Sequence, residues 1–142
     1  MSASRATSYR LDPDLKDRLA AHARAEGITE RALLERLIDE GLTTTQHPGI
    51  VFRDGPSGRR AGLAVGADIW EIISALRYTT GSDEERVADL AEQFNLHPRH
   101  IRTAIDFAAL HRESIDARVR ANDEAADKAE RLAMERADLM GS

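Results

Sequence analysis

Positions 6–11 alternate in character: Thr7, Tyr9 and Leu11 are interleaved with Ala6, Ser8 and Arg10. This period of two predicts a short strand with one apolar face. The period then changes. Asp12 offers a capping carboxylate, and Pro13 suits a first helical position because its φ is preset and it lacks the N–H that would go unpaired there. Leu15, Leu19, Ala20 and Ala23 follow at helical spacing, and Gly27 supplies a left-handed stop. Thr29 caps a second predicted helix, whose stripe is Leu33, Leu34, Leu37, Ile38 and Leu42, with Gly41 near its end. Strand, helix, turn and helix are thus predicted within about 42 residues.

A polar break at Thr43-Thr44-Thr45-Gln46 reads as a linker. Beyond it, Ile50–Arg53 predicts a strand, Asp54–Gly58 a turn and Arg59–Leu63 a return strand. Asp68 is placed to cap a helix bearing Ile69, Trp70, Ile72, Ile73 and Leu76. Ser82 or Asp83 is placed to cap another bearing Val87, Leu90, Ala91 and Phe94. Asn95-Leu96-His97-Pro98 turns the chain into a helix with Ile101, Ala104, Ile105 and Ala108 on one side. From His111 onward one long polar helix is expected. Its narrow stripe of Ile115, Val119, Ala126, Ala129 and Ala133 is too thin to stand alone, so the helix should fray, dock on the body or fold against a partner.

Composition agrees with a mainly helical chain: of 142 residues 32% are charged and only 4% aromatic, a balance that disfavours a β-sandwich. The absence of cysteine excludes disulfides, thiolate chemistry and Cys-ligated zinc. Without a signal-like or membrane-length apolar run, the expected location is the cytoplasm. The net charge of −5 argues at first against a nucleic-acid partner, but its distribution matters more. Residues 1–42 carry 7 basic and 8 acidic side chains, residues 43–80 carry 4 and 3, and residues 81–142 carry 9 and 14. The acidity therefore sits in the C-terminal half. The first eleven residues hold Arg5 and Arg10 and no acid, a local positive surface that dimerisation would double.

A lone strand carries backbone donors and acceptors that require a partner, and a second chain is the simplest supplier. Through Tyr9-Arg10-Leu11-Asp12-Pro13-Asp14-Leu15, and through Gly27-Ile28-Thr29-Glu30 with the leucine-rich helix after it, the segment of roughly residues 5–43 resembles the ribbon-helix-helix (CopG/Arc/MetJ-like) DNA-binding family. The resemblance implies two chains pairing their strands antiparallel, with the ribbon in the major groove. Residues 46–110 are similar, less closely, to the winged-helix-like modules known as domain of unknown function 433, which accompany toxin–antitoxin operons. That likeness rests on Gly58-Arg59-Arg60-Ala61 and on Ala104-Ile105 with Phe107-Ala108-Ala109. Gly58-Arg59-Arg60-Ala61-Gly62 stands where that family has Gly-Thr-Arg-Ile-Pro. The expected domains are accordingly a ribbon-helix-helix unit at 1–43, a winged-helix-like unit at 44–110 and a helical tail at 111–142.

On this reading Ala6, Ser8 and Arg10 face the bases. Arg10 is the strongest discriminator, because a guanidinium can donate twice to guanine, whereas Ala6 offers apolar contact alone. Thr29, Glu30 and Arg31 form a phosphate site at a helix start, where unsatisfied N–H groups and the dipole both favour an anion. Arg99 and Arg102 are secondary candidates for DNA contact, set against Asp106 on the same side. For a toxin partner the tail offers Ile115, Val119 and Leu132 as apolar anchors, with Arg118 or Arg131 directed to an acidic nuclease site. His97 and His100 lack a third ligand, Gly55–Gly58 lacks the Lys-Ser/Thr ending of a phosphate loop, and no catalytic constellation emerges. No cofactor, metal or catalytic residue is nominated. The expected function is that of a homodimeric or higher-order repressor that binds operator DNA and serves as the antitoxin of a type II pair. The alternatives are a stand-alone repressor and a protein-binding adaptor whose first unit only dimerises.

Overall fold

The computed structural model describes residues 3–56 and 58–141; Met1, Ser2, Ser57 and Ser142 lie outside the described residues. Six helices and three short strands among the described residues make the chain mainly helical, and it divides into two compact units, residues 1–42 and 43–142.

In the first unit α1 runs Pro13–Glu26. It starts where the sequence predicts, because the Asp12 carboxylate accepts from the amides of Asp14 (3.2 Å) and Leu15 (3.4 Å) and Pro13 occupies the first turn. It ends at Gly27, whose φ of 69° is a left-handed conformation that L side chains rarely adopt. Thr29 opens α2, Glu30–Gln46, by accepting from the Ala32 amide at 3.0 Å. Leu19, Ala23 and Leu33 form a small buried core with Leu34 packed against it. Two ion pairs, Lys16–Glu30 and a two-bond Arg36–Glu26 contact (2.9 Å each), tie the helices together.

Two expectations are corrected here. Residues 3–12 form no strand: Tyr9 is 81% exposed, and the single chain offers this segment no backbone to pair with. The polar break at 43–46 is instead the last turn of α2. Gly41 is tolerated inside a helix at a cost of about 1 kcal/mol, and Thr43 is buried and accepts from the His47 amide at 2.8 Å. The boundary between the units falls within that helix.

The second unit starts with a three-stranded antiparallel sheet in the order β1 (Ile50–Arg53), β2 (Arg60–Leu63), β3 (Gly66–Asp68). The register pairs Ile50 with Leu63 and Arg53 with Arg60, and reciprocal Gly55–Gly58 backbone bonds (3.1 and 2.9 Å) close the turn. The hairpin is as predicted; β3, three residues without an apolar rhythm, was not expected. Four helices follow: α3 Ile69–Leu76, α4 Asp83–Phe94, α5 Pro98–Leu110 and α6 Arg112–Leu139. Ser82 caps α4 through the Glu85 amide (3.2 Å). Asn95 closes it at φ 54°, and His97 Nδ1 accepts from the Arg99 amide (3.1 Å) to start α5.

The core of this unit gathers Ile50 and Leu63 from the sheet, Ile69 and Ile72 from α3, Leu90 from α4, and Ile101, Ala104 and Phe107 from α5. Helix α6 joins it through Ile115. Arg77 fastens the same helix to the end of α3 with two bonds to Asp123, at 2.8 and 3.1 Å. The Arg77 hydrogen bonds hold the Asp123 carboxyl below its ordinary range. Of the three fates open to the tail, its first three turns dock, while residues 124–139 are exposed along their whole length. No described helix is long and apolar enough to cross a membrane.

Candidate nucleic-acid interface

Ala6, Ser8 and Arg10 are all exposed on the irregular segment before α1. That segment lies along α2: Arg5, Thr7 and Tyr9 line an open groove of about 610 Å³ together with Arg31, Leu34 and Ile38. This neighbourhood was not legible in the sequence, because nothing in the local spacing relates residues 4–9 to residues 31–38.

The helix-start site is narrower than its three residues suggest. The Thr29 hydroxyl is engaged in capping, the Glu30 carboxylate pairs with Lys16, and Arg31 Nε pairs with Glu35 at 3.1 Å. What this position offers an anion is the amides of Glu30 and Arg31, which helix geometry leaves without an intrahelical acceptor, the Ala32 amide being given to the Thr29 hydroxyl. Lys16, passed over at the sequence level, lies beside the site through its bond to Glu30, fourteen residues away.

At the start of α5, Arg99 is exposed, but Arg102 is turned onto Glu84 of α4 at 3.0 Å. The first turn of α4 adds Asp83 and Glu85, so a phosphate approaching Arg102 would meet acid. The rings of His97 and His100 stand 6.5 Å apart, and no group of three or more metal-ligating side chains occurs among the described residues.

The toxin-facing set divides in two. Ile115 and Val119 are each only 7% exposed, and Arg118 points into the second unit, donating to the Arg59 carbonyl at 3.4 Å. The apolar stripe at the start of α6 is consumed by the body, so these three residues are not surface anchors. Arg131 and Leu132 remain exposed, followed by Met134, Leu139 and Met140.

The first unit also leaves much of its apolar surface open. Leu37 is 49%, Ile38 51% and Leu42 60% exposed, and Leu11 and Leu15 are uncovered as well. Among the described residues of this unit three are buried in its core, a meagre number for some forty residues, and a domain of this size ordinarily needs a staple or an oligomer. No protein family, curated protein or solved structure matches this chain.

Proposed function

We propose that the chain is a homodimeric, sequence-specific DNA-binding repressor of ribbon-helix-helix type and the antitoxin of a type II toxin–antitoxin pair. The observation that carries the reading is the uncovered Leu11, Leu15, Leu37, Ile38 and Leu42 beside an unpaired segment whose residues alternate in polarity. A second copy answers both needs together. Its own residues 6–11 supply the missing strand, and its α2 covers the open stripe. The paired strands then present Ala6, Ser8 and Arg10 twice on one polar face. Arg5 and Arg10 concentrate positive charge there despite the acidic total.

Fluorescence anisotropy on promoter fragments tests this reading. Binding should favour a palindromic fragment over a scrambled one and weaken steeply with salt. Equal affinity for both, or no salt dependence, overturns it. The antitoxin element rests on the exposed run 124–139 of α6, which carries Leu132, Met134 and Leu139 without covering them. Co-purification of a small ribonuclease from the native host, lost on removal of that run, is its check. The same exposed run also favours a second reading, a protein-binding adaptor, which predicts partner capture with no operator preference.

A further inference from the structure

Ile115, Val119 and Asn122, then Ala126, Ala129 and Ala133, recur along α6 at alternate steps of four and three residues, and the same steps lead on to Arg136 and Met140. This is the 3.5-residue repeat of a seam that packs along a second helix. The second unit uses only its opening: Ile115 and Val119 are each 7% exposed, whereas every residue from 124 to 139 is exposed. The face that docks on the body thus continues, uncovered, for about 24 Å of helix. Leu132 and Leu139 flank the free part on one side, both exposed. The alanines between them allow another helix to approach to about 8 Å, the short end of the usual range.

The charges on this run select the occupant. Arg77–Asp123 is the last ion pair along α6, and Lys128, Glu130, Glu135 and Arg136 make none among the described residues. Arg136 lies in the seam itself, so a parallel second copy in register would set two guanidiniums against each other. An antiparallel copy avoids this. Centred near Leu132, it places Arg136 over Ala126 of the second copy, whose methyl group leaves room for the long side chain, with Glu130 of that copy less than a turn away. On the Leu132 flank the same register sets Lys128 opposite Glu135 of the second copy, and two-fold symmetry forms that pair twice. Sliding the copies by one turn brings Glu135 onto Glu124 or removes the pairing, so the charges fix the register as well as the direction.

We propose that residues 124–139 of α6 pair antiparallel with the same residues of a second copy of the chain, with Ala126, Ala129 and Ala133 forming the seam and Leu132 meeting its symmetry mate at the two-fold axis. The contact rests on α6 alone and does not depend on the DNA-binding reading of the first unit. A toxin taking the same run has to separate the pair first.

The sequence has no cysteine, so cysteines introduced singly report the arrangement without background. A disulfide forms only between Cα atoms within about 7 Å of each other. Full-length chains carrying Leu132→Cys, Ala126→Cys, Arg136→Cys or Met134→Cys are oxidised at about 100 μM, a concentration suited to the weak affinity of a short interface. Leu132→Cys should link to itself at least about tenfold faster than Met134→Cys, which lies on the far side of the helix. Ala126→Cys mixed with Arg136→Cys should link faster than either does to itself. Adding Ala129→Glu, which sets a carboxylate in the seam, should slow the Leu132→Cys reaction by a similar factor. Residue 129 is exposed in the single chain, so the helix persists in that variant, as its circular dichroism would show. The proposal is overturned by equal rates for Leu132→Cys and Met134→Cys, by Arg136→Cys linking faster to itself than to Ala126→Cys, or by an unchanged Leu132→Cys rate in the chain that also carries Ala129→Glu.

Discussion

Ile38→Glu is the substitution that bears most directly on the dimer. Fully burying an isoleucine contributes roughly 1.5–3 kcal/mol, and about half of that is already realised in the single chain, where Ile38 is 51% exposed. Covering the rest contributes about 1 kcal/mol per copy, and two-fold symmetry doubles it to about 2 kcal/mol per dimer. Losing that much weakens dimerisation by about thirtyfold, and a carboxylate forced into the interface adds to the loss. In the isolated chain the same position is open enough that glutamate destabilises little. The variant should therefore keep its helical circular dichroism at high concentration and shift its monomer–dimer equilibrium, read by sedimentation equilibrium across a dilution series. Two results refute the reasoning: an unaltered chain that is monomeric at about 10 μM, corresponding to a dissociation free energy below about 7 kcal/mol, or an unchanged dimer constant in the variant.

Arg10→Ala should reduce operator affinity by about 1–3 kcal/mol at fixed salt and relax base preference while leaving the dimer intact, as anisotropy with base-substituted fragments would show. Two truncations should behave differently: ending the chain after Glu124 leaves the second unit folded and DNA binding unchanged but abolishes toxin neutralisation, whereas ending it after His111 removes the buried Ile115 and Val119 and lowers the melting temperature markedly. Asp123→Asn should lower the melting temperature near neutrality and make little difference in strong acid. The Asp123 carboxyl is held below its ordinary value in the folded chain, so its stabilisation is complete above about pH 4, the unfolded value, and is lost as pH falls through the folded one. Parallel melts of both chains from about pH 2 to about pH 7 check the sign, and a difference that grows toward acid would contradict it.

Local signals carried far in this sequence. Asp12, Gly27, Ser82 and Asn95 each mark a helix end through chemistry confined to a few neighbours, and each sits where that chemistry puts it. What local spacing could not reveal depends on distant partners. Asp68 is a plausible cap for α3 by position, yet it makes no side-chain cap bond, because arginines eight and fifteen residues upstream draw its carboxylate away. The docking of α6 buries Ile115 and Val119 against the second unit and adds an ion pair between Arg77 and Asp123, forty-six residues apart. Strand β3 shows no alternation because it is short, and its residues are placed by the hairpin beside it. The candidate base-reading residues are a special case. Their alternation is visible in the sequence, but a strand is completed by hydrogen bonds, and one chain by itself offers none to residues 6–11.

The half-docked state of α6 has a consequence for how that helix meets a partner. Starting an isolated helix is unfavourable by a factor of about 10⁻³, or about 4 kcal/mol, because several residues must be ordered for the first hydrogen bond, whereas each later residue adds at nearly no net change. Ile115, Val119 and the Arg77–Asp123 bonds hold the opening turns in helical form. These turns act as a permanent nucleus from which residues 124–139 need only propagate. A protein gripping this end of the chain meets a helix that has already crossed its nucleation barrier. Its binding energy then goes into specificity and lifetime instead of into ordering a coil.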